Sequence, residues 1–325
     1  MKTNMYLRED LFAKDIEQKP TRDGYGAGVV EAAAKNTNIV VLCADLTEST
    51  RSVEFKKMFP DRFVQMGVHE QLLAALAAGM AMAGKIPYIT SYAMFCPGRA
   101  WEQIRTNICL NDVNVKIIGS HAGVSVGPDG ATHQAVEDMA IMRVIPNMTV
   151  IAPCDVHEAR KATIAIANWD GPCYVRFARE KTPVFTTDRT PFEIGKANIL
   201  RDGKDVAIIA CGPLTYRALQ AAEELKRAKI DAMVVNMHTI KPLDEKTLLE
   251  AAKRCRAIVT VEEHQIAGGL GGSVAETLAR LRPTPIEFVG VHDRFGESGE
   301  PNELIEHFGM GVASIKDAVK KVLKR

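Results

Sequence analysis

Met66-Gly67-Val68-His69-Glu70-Gln71 stands between a short β-like run, Arg62-Phe63-Val64-Gln65, and a run of small apolar residues over 72–83. A polar turn after a strand and before a helix is where α/β proteins place their chemistry, because backbone N–H groups and side chains there face the crevice at the strand ends. Glu70 falls at the helix start, where the helix dipole favours a carboxylate. The six residues leave two readings open: a capping acid, or an acid serving a site.

Outward from this turn the chain alternates. Helices are expected over 22–35, 53–58, 72–83, 98–110, 136–142 and 156–168. Strands are expected over 38–42, 62–65, 86–90, 115–119, 148–152 and 173–177. Short β-rich apolar runs between amphipathic helices indicate a mostly parallel, doubly wound α/β sheet covered on both faces. Residues 1–20 read as a polar arm with one short helix. Residues 21–182 read as the first domain. Residues 183–192, with Pro183 and Pro191 at or beside their ends, read as a linker. Residues 193–325 repeat the βα rhythm as a second domain, with strands at 206–210, 232–236, 257–261 and 286–289. The stretch over 121–134 breaks the rhythm. It is long, Gly-rich and polar, and it carries His121, Asp129 and His133. Long loops inside compact α/β domains are usually functional or disordered, and these residues favour function.

The 325 residues are 46% hydrophobic and 25% charged, the values of an ordinary globular protein, and about two domains' worth of chain. Lys plus Arg is 41 and Asp plus Glu is 40, a net +1 that gives no reason to propose nucleic acid or an anionic membrane as partner. Apolar runs stop short of membrane-spanning length, and the first ten residues hold no apolar signal core. Seven Cys are scattered without a C-x-x-C pair. They are expected as small buried hydrophobes in a reducing cytoplasm, and no metal site is expected from them.

Other candidates each have a plain reading. Gly24-Tyr25-Gly26-Ala27-Gly28 and Gly268-Gly269-Leu270-Gly271-Gly272 suggest phosphate loops, but neither gives G-x-G-x-x-G in context, so turns and tight packing are expected. Arg22, Ser49, His121 and Arg179 each stand beside an expected strand end or helix start. Together they would hold a phosphate, since Arg gives it bidentate hydrogen bonds, but spacing does not show that they converge. Tyr92 and Phe95 follow a strand and would serve as core, or stack on a flat heterocycle.

Several segments together carry a resemblance: Gly67-Val68-His69-Glu70-Gln71, Ile86-Pro87-Tyr88-Ile89-Thr90-Ser91-Tyr92-Ala93-Met94-Phe95 and Gly98-Arg99-Ala100-Trp101-Glu102-Gln103-Ile104-Arg105. Gly127-Pro128-Asp129-Gly130-Ala131-Thr132-His133-Gln134 and Arg294-Phe295-Gly296-Glu297-Ser298-Gly299 complete the set. The chain resembles the C-terminal half of transketolases, and more closely the smaller subunit of split transketolases, over about all of its length after Lys19.

The resemblance implies a thiamine diphosphate pyrimidine-binding domain followed by a transketolase C-terminal domain. It implies that Glu70 is the acid at N1′ of the aminopyrimidine, where a carboxyl favours the imino tautomer that takes the thiazolium C2 proton. Tyr92 and Phe95 match the aromatic pocket around the pyrimidine, and Asp45 an acid near the thiazolium. His133 and Asp129 match residues facing donor and acceptor sugars. Arg22, Ser49, His121 and Arg179 match the sugar-phosphate clamp. Two departures stand out: His69 where the family often has Arg, and Pro128 where many members have Glu. The chain lacks the Gly-Asp-Gly motif that holds the diphosphate through Mg²⁺ or Ca²⁺. The resemblance therefore implies an N-terminal partner subunit carrying that motif, in a heterotetramer with two copies of each chain. The implied activity moves a two-carbon ketol unit from a ketose phosphate to an aldose phosphate. A 1-deoxyxylulose-5-phosphate synthase, a 2-oxoacid dehydrogenase β subunit and a transketolase for a rare sugar phosphate are the near alternatives. A non-catalytic assembly subunit and a nucleotide-binding module are the distant ones. The second domain is expected to build dimers, with His264 structural or interfacial.

Overall fold

The computed structural model describes residues 6–325. In chain order the first half holds β1 (Gln18–Pro20), α1 (Thr21–Lys35), β2 (Ile39–Cys43), α2 (Val53–Met58), β3 (Phe63–Gln65), α3 (Glu70–Met82) and β4 (Ile86–Tyr92). Next come α4 (Trp101–Gln103), which runs into a π-helical stretch (Ile104–Cys109), then β5 (Lys116–Ser120), α5 (Asp138–Arg143), β6 (Thr149–Ile151), α6 (Val156–Ala167), β7 (Cys173–Arg176) and β8 (Lys181–Pro183). The second half holds β9 (Asn198–Arg201), β10 (Val206–Ala210), α7 (Leu214–Arg227), β11 (Ala232–Asn236), β12 (Thr239–Lys241) and α8 (Glu245–Arg254). It ends with β13 (Ile258–Gln265), α9 (Leu270–Leu281), β14 (Ile286–Val291), α10 (Pro301–His307) and α11 (Val312–Val322).

The strands form two sheets and a small ribbon. The first sheet has the order β12-β6-β7-β5-β4-β2-β3, and the second β14-β13-β10-β11-β9. All pairs within them are parallel except β12 with β6 and β9 with β11. The expected two-domain, mostly parallel α/β architecture is therefore present. β2, β5, β6, β7, β10 and β11 are buried at every position, and β2 and β10 read as continuous apolar runs for that reason. One apolar cluster joins the sheets: Leu42, Ile89 and Ile117 continue through Met139 and Met142 to Ile209, Val235 and Leu270.

Three features differ from the sequence reading. The arm forms turns and β1 instead of a helix among its described residues; its first five residues lie outside them. β1 pairs antiparallel with β8, so the start of the stretch read as a linker is strand. Asp155 caps α6 through Glu158 N and also accepts from Phe185 N and Thr186 N, which pins that stretch to the first domain. The third is β12, a strand from beyond the linker that completes the first sheet at the β6 edge. No helix of the described residues is long and apolar enough to cross a membrane. All seven cysteines are buried and unpaired.

Both glycine clusters are structural. α1 meets α6 so closely that a Cβ at Gly24 would lie 2.3 Å from the Val156 carbonyl oxygen, and one at Gly28 2.8 Å from that of Arg160. Gly24→Ala is expected to cost about 1–3 kcal/mol in chemical denaturation by overpacking, although Ala is the better helix former. An unchanged or stabilised variant would count against this packing. At the second cluster the buried Glu262 carboxylate fills the place of an anion, accepting from Leu270 N and Gly271 N at 2.7 Å each. His264 is buried beside it, with Nε2 accepting from Ala140 N at 3.3 Å.

Candidate active site

The carboxyl ends of the parallel strands in the first sheet gather the chemistry. β3 leads through the Gly67 turn to Glu70, the first residue of α3. β4 ends in Tyr92, β5 is followed by His121, and β7 is followed three residues on by Arg179. Asp45 and His121 follow their strands with φ of 61° and 56°, in the left-handed region.

Glu70 is 1% exposed. Its Oε2 accepts from Arg99 Nη1 at 2.8 Å, and its Oε1 from Ser91 Oγ at 3.4 Å. The Arg99 side chain is half exposed, and its guanidinium lies 4.8 Å from the Phe95 ring centroid. Four rings form one group. Tyr92 stacks on His121 at 3.9 Å, Phe95 lies 6.1 Å from Tyr92, and His133 stands edge-on to Phe95 at 5.2 Å. Thr132 Oγ1 lies 2.9 Å from His133 Nδ1. A buried carboxylate thus borders an aromatic group, with one arginine spanning both.

His121 joins this group to the arginines. Arg22 Nη1 donates to the Ser49 carbonyl at 2.9 Å and to His121 Nε2 at 3.3 Å. Arg can only donate, so Nε2 accepts and Nδ1 carries the proton that reaches Ser120 Oγ at 2.8 Å. Burial, then Arg22, Arg179 and Arg51, push the His121 pKa down to about 3. Burial, then Arg51, also lowers that of Arg22. The buried Nε of Arg22 has no acceptor among the described residues. A donor left over beside further cations fits an anion. Arg179 Nη1 donates to Val126 O at 2.5 Å, at the base of the long loop.

His121 is expected to show no imidazole titration in NMR between pH 8 and pH 5; a midpoint near 6 would contradict the buried neutral ring. The unfolded ring protonates near 6.5 while the folded one does not. The native state therefore loses this group's share of stability as pH falls below 6.5.

The sequence-derived set converges in part. Glu70, Tyr92, Phe95, His121, His133 and Arg22 form a continuous network, and Arg179 lies close enough to shift His121. Ser49 reaches Arg22 through its carbonyl instead of its hydroxyl. Asp45 is exposed and bound to Gln65 Nε2 at 2.6 Å, outside the network. Asp129 is exposed, with no partner for its carboxylate among the described residues. Among the same residues no group of three or more His, Cys, Asp or Glu is placed to hold a metal ion.

Residues 17–184 match the family model of the transketolase pyrimidine-binding domain, and residues 195–315 that of the transketolase C-terminal domain. The chain belongs to the transketolase family. It is 45% identical to the putative transketolase C-terminal section of Methanocaldococcus jannaschii, over 94% of this chain and 97% of that protein. It is 39% identical to the 6-deoxy-6-sulfo-D-fructose transketolase subunit SqwH of Clostridium sp., over 97% and 98% of the two chains. It superposes on a solved split gene transketolase, described as an inactive beta4 tetramer, with a TM-score of 0.89 and 44% identity over 94% of this chain and 98% of that one. Transketolase domains imply thiamine diphosphate dependence, and the chain corresponds to the C-terminal section of the split enzymes.

Within this transketolase architecture, sequence reasoning gave no role to Arg99, Ser91, Arg51 or Glu263. Arg99 lies inside a matched segment, yet nothing in its spacing points to Glu70. The contact depends on how the segment after β4 turns back over α3.

Proposed function

We propose that the chain is the catalytic C-terminal subunit of a transketolase that transfers a two-carbon ketol unit between sugar phosphates. The observation that carries this reading is the buried Glu70 carboxylate at the start of α3, beside Tyr92 and Phe95 and on the same sheet edge as the Arg22–His121–Arg179 group. A buried acid bordering aromatic faces fits an aminopyrimidine. When bound, thiamine diphosphate supplies the carbon nucleophile that accepts and returns the two-carbon unit.

Glu70 binds the ring at N1′ and shares a proton there, which requires Arg99 to release at least one carboxylate oxygen. Tyr92 and Phe95 line the ring, and Asp45 stands near the thiazolium side. His133 hydrogen-bonds the donor carbonyl or hydroxyl, and Asp129 the acceptor hydroxyl. Arg22 and Arg179 bind the phosphate, with neutral His121 and the Ser49 carbonyl orienting Arg22. Their free donors suit a tetrahedral anion at the end of the sugar. The sulfosugar named for one relative leaves a less common anionic ketose as the second reading.

The diphosphate and its Mg²⁺ or Ca²⁺ fall to an N-terminal subunit carrying Gly-Asp-Gly, two copies of each chain forming the enzyme. The sequence supports this, since it holds no Gly-Asp-Gly. So do the exposed large hydrophobics Val68, just before α3, and Leu72 and Leu76 on it. Mixed with that subunit, Mg²⁺ and thiamine diphosphate, the chain is expected to move ketol from xylulose 5-phosphate to ribose 5-phosphate. Alone with cofactor and metal it is expected to be inactive. An inactive mixture of folded chains, on these and on sulfosugar donors, would sink the assignment.

A further inference from the structure

The loop that carries Asp129 and His133 is shaped by the other domain. Glu263, on β13, is buried. Its Oε1 accepts from Ser125 N at 2.7 Å. Gly123 leaves room for this contact: its φ is +89°, and a Cβ there would lie 2.2 Å from the same oxygen. The Glu263 carbonyl also accepts from Arg176 Nη2 at 2.7 Å, so its backbone is anchored to the first sheet. At the far end of the loop Gln134 Nε2 donates to Glu297 O at 2.8 Å, and lies at 3.0 and 3.1 Å from the loop's own Val124 and Gly127 carbonyls. Between these ties Gly130 sits against Ser298, where a Cβ would be 2.5 Å from Oγ.

We propose that Glu263 is a positioning residue: from the second domain it fixes the loop that presents Asp129 and His133 to the sugar. This rests on the transketolase reading of those two residues. The physical logic is that a loop rich in left-handed glycines has many conformations when free, and a buried carboxylate on a backbone N–H removes them. The second domain then contributes to the reaction through precision.

Amide exchange and steady-state kinetics on the same variants test this. Glu263→Ala is expected to speed exchange over 124–130 by about tenfold, with exchange in β2 and β4 unchanged. In the assembled enzyme it is expected to lower kcat/KM for both sugars by about 10–100-fold, at an unchanged affinity for thiamine diphosphate. Glu263→Gln keeps an acceptor oxygen and is expected to restore most of both. Gln134→Ala loosens the loop from its other end and serves where Glu263→Ala folds poorly. Unchanged loop exchange in both Ala variants overturns the proposal. So does a loosened loop with unaltered sugar kinetics. A wild-type assembly inactive on every sugar defeats the transketolase reading instead, and the exchange data still decide whether Glu263 holds the loop.

Discussion

Replacing Glu70 by Gln is expected to lower ketol transfer by the assembled enzyme by about 10²–10⁴-fold, the range for a lost acid–base group, while the chain still folds and assembles. Gln has nearly the same shape, sits at the same helix start and keeps one oxygen for Arg99, while its amide N–H can donate to the Ser91 hydroxyl. What it loses is the proton exchanged with N1′. The expected signature is a fall in kcat far larger than any change in sugar KM. A rate within threefold of wild type would mean that Glu70 is not the pyrimidine partner. Arg99 sharpens the test. It is half exposed, but its 2.8 Å contact is the main one to a carboxylate that is 1% exposed, so removing the guanidinium leaves Glu70 with Ser91 alone. Arg99→Met is therefore expected to cost about 1–3 kcal/mol in chemical denaturation while freeing the carboxylate. Calorimetry with thiamine diphosphate should then show binding at least as tight as wild type.

The second large effect is on stability. Asp138 and Arg176 are both nearly inaccessible and lie 2.9 Å apart. Tyr174 donates to the same Asp138 oxygen at 2.7 Å, and the guanidinium also reaches Ala135 O and Glu263 O. Burial opposes the Arg176 charge, and Asp138, Glu263 and Tyr174 together more than restore it. Removing one partner leaves a charge with no water to receive it. Asp138→Ala is expected to cost about 3–5 kcal/mol in chemical denaturation. The double replacement Asp138→Leu with Arg176→Met removes both charges and is expected to recover much of that loss. A single variant within 1 kcal/mol of wild type would show that water reaches this pair.

The parallel sheets were legible because strands buried on both faces leave uninterrupted apolar runs, as Ile39–Cys43 does. β12 was not, because three residues ending in Lys241 before Pro242 carry no period, and their pairing with β6 depends on the whole second domain. The segment after β4 was expected to be one helix; its π-helical stretch follows a different hydrogen-bond ladder that apolar spacing does not report. Glu70 was legible as an acid at a helix start. Arg99 was not, since its partner lies 29 residues away on another element. The phosphate group was legible by residue type, yet the use of the Ser49 carbonyl depends on a backbone turn that side-chain identity does not encode.

The seventh strand of the first sheet also bears on how the protein is made. β6 has no neighbour on its outer edge until Thr239–Lys241 have left the ribosome, by which time β10 and β11 have been made as well. An open strand edge is a template for wrong pairing, and synthesis at about 5–20 residues per second leaves it open for several seconds. Translation arrest between β8 and β12 should therefore give nascent chains that bind chaperones through β6, and release should follow the emergence of β12. The same dependence sets a limit on engineering: a fragment cut at the linker inherits the open edge.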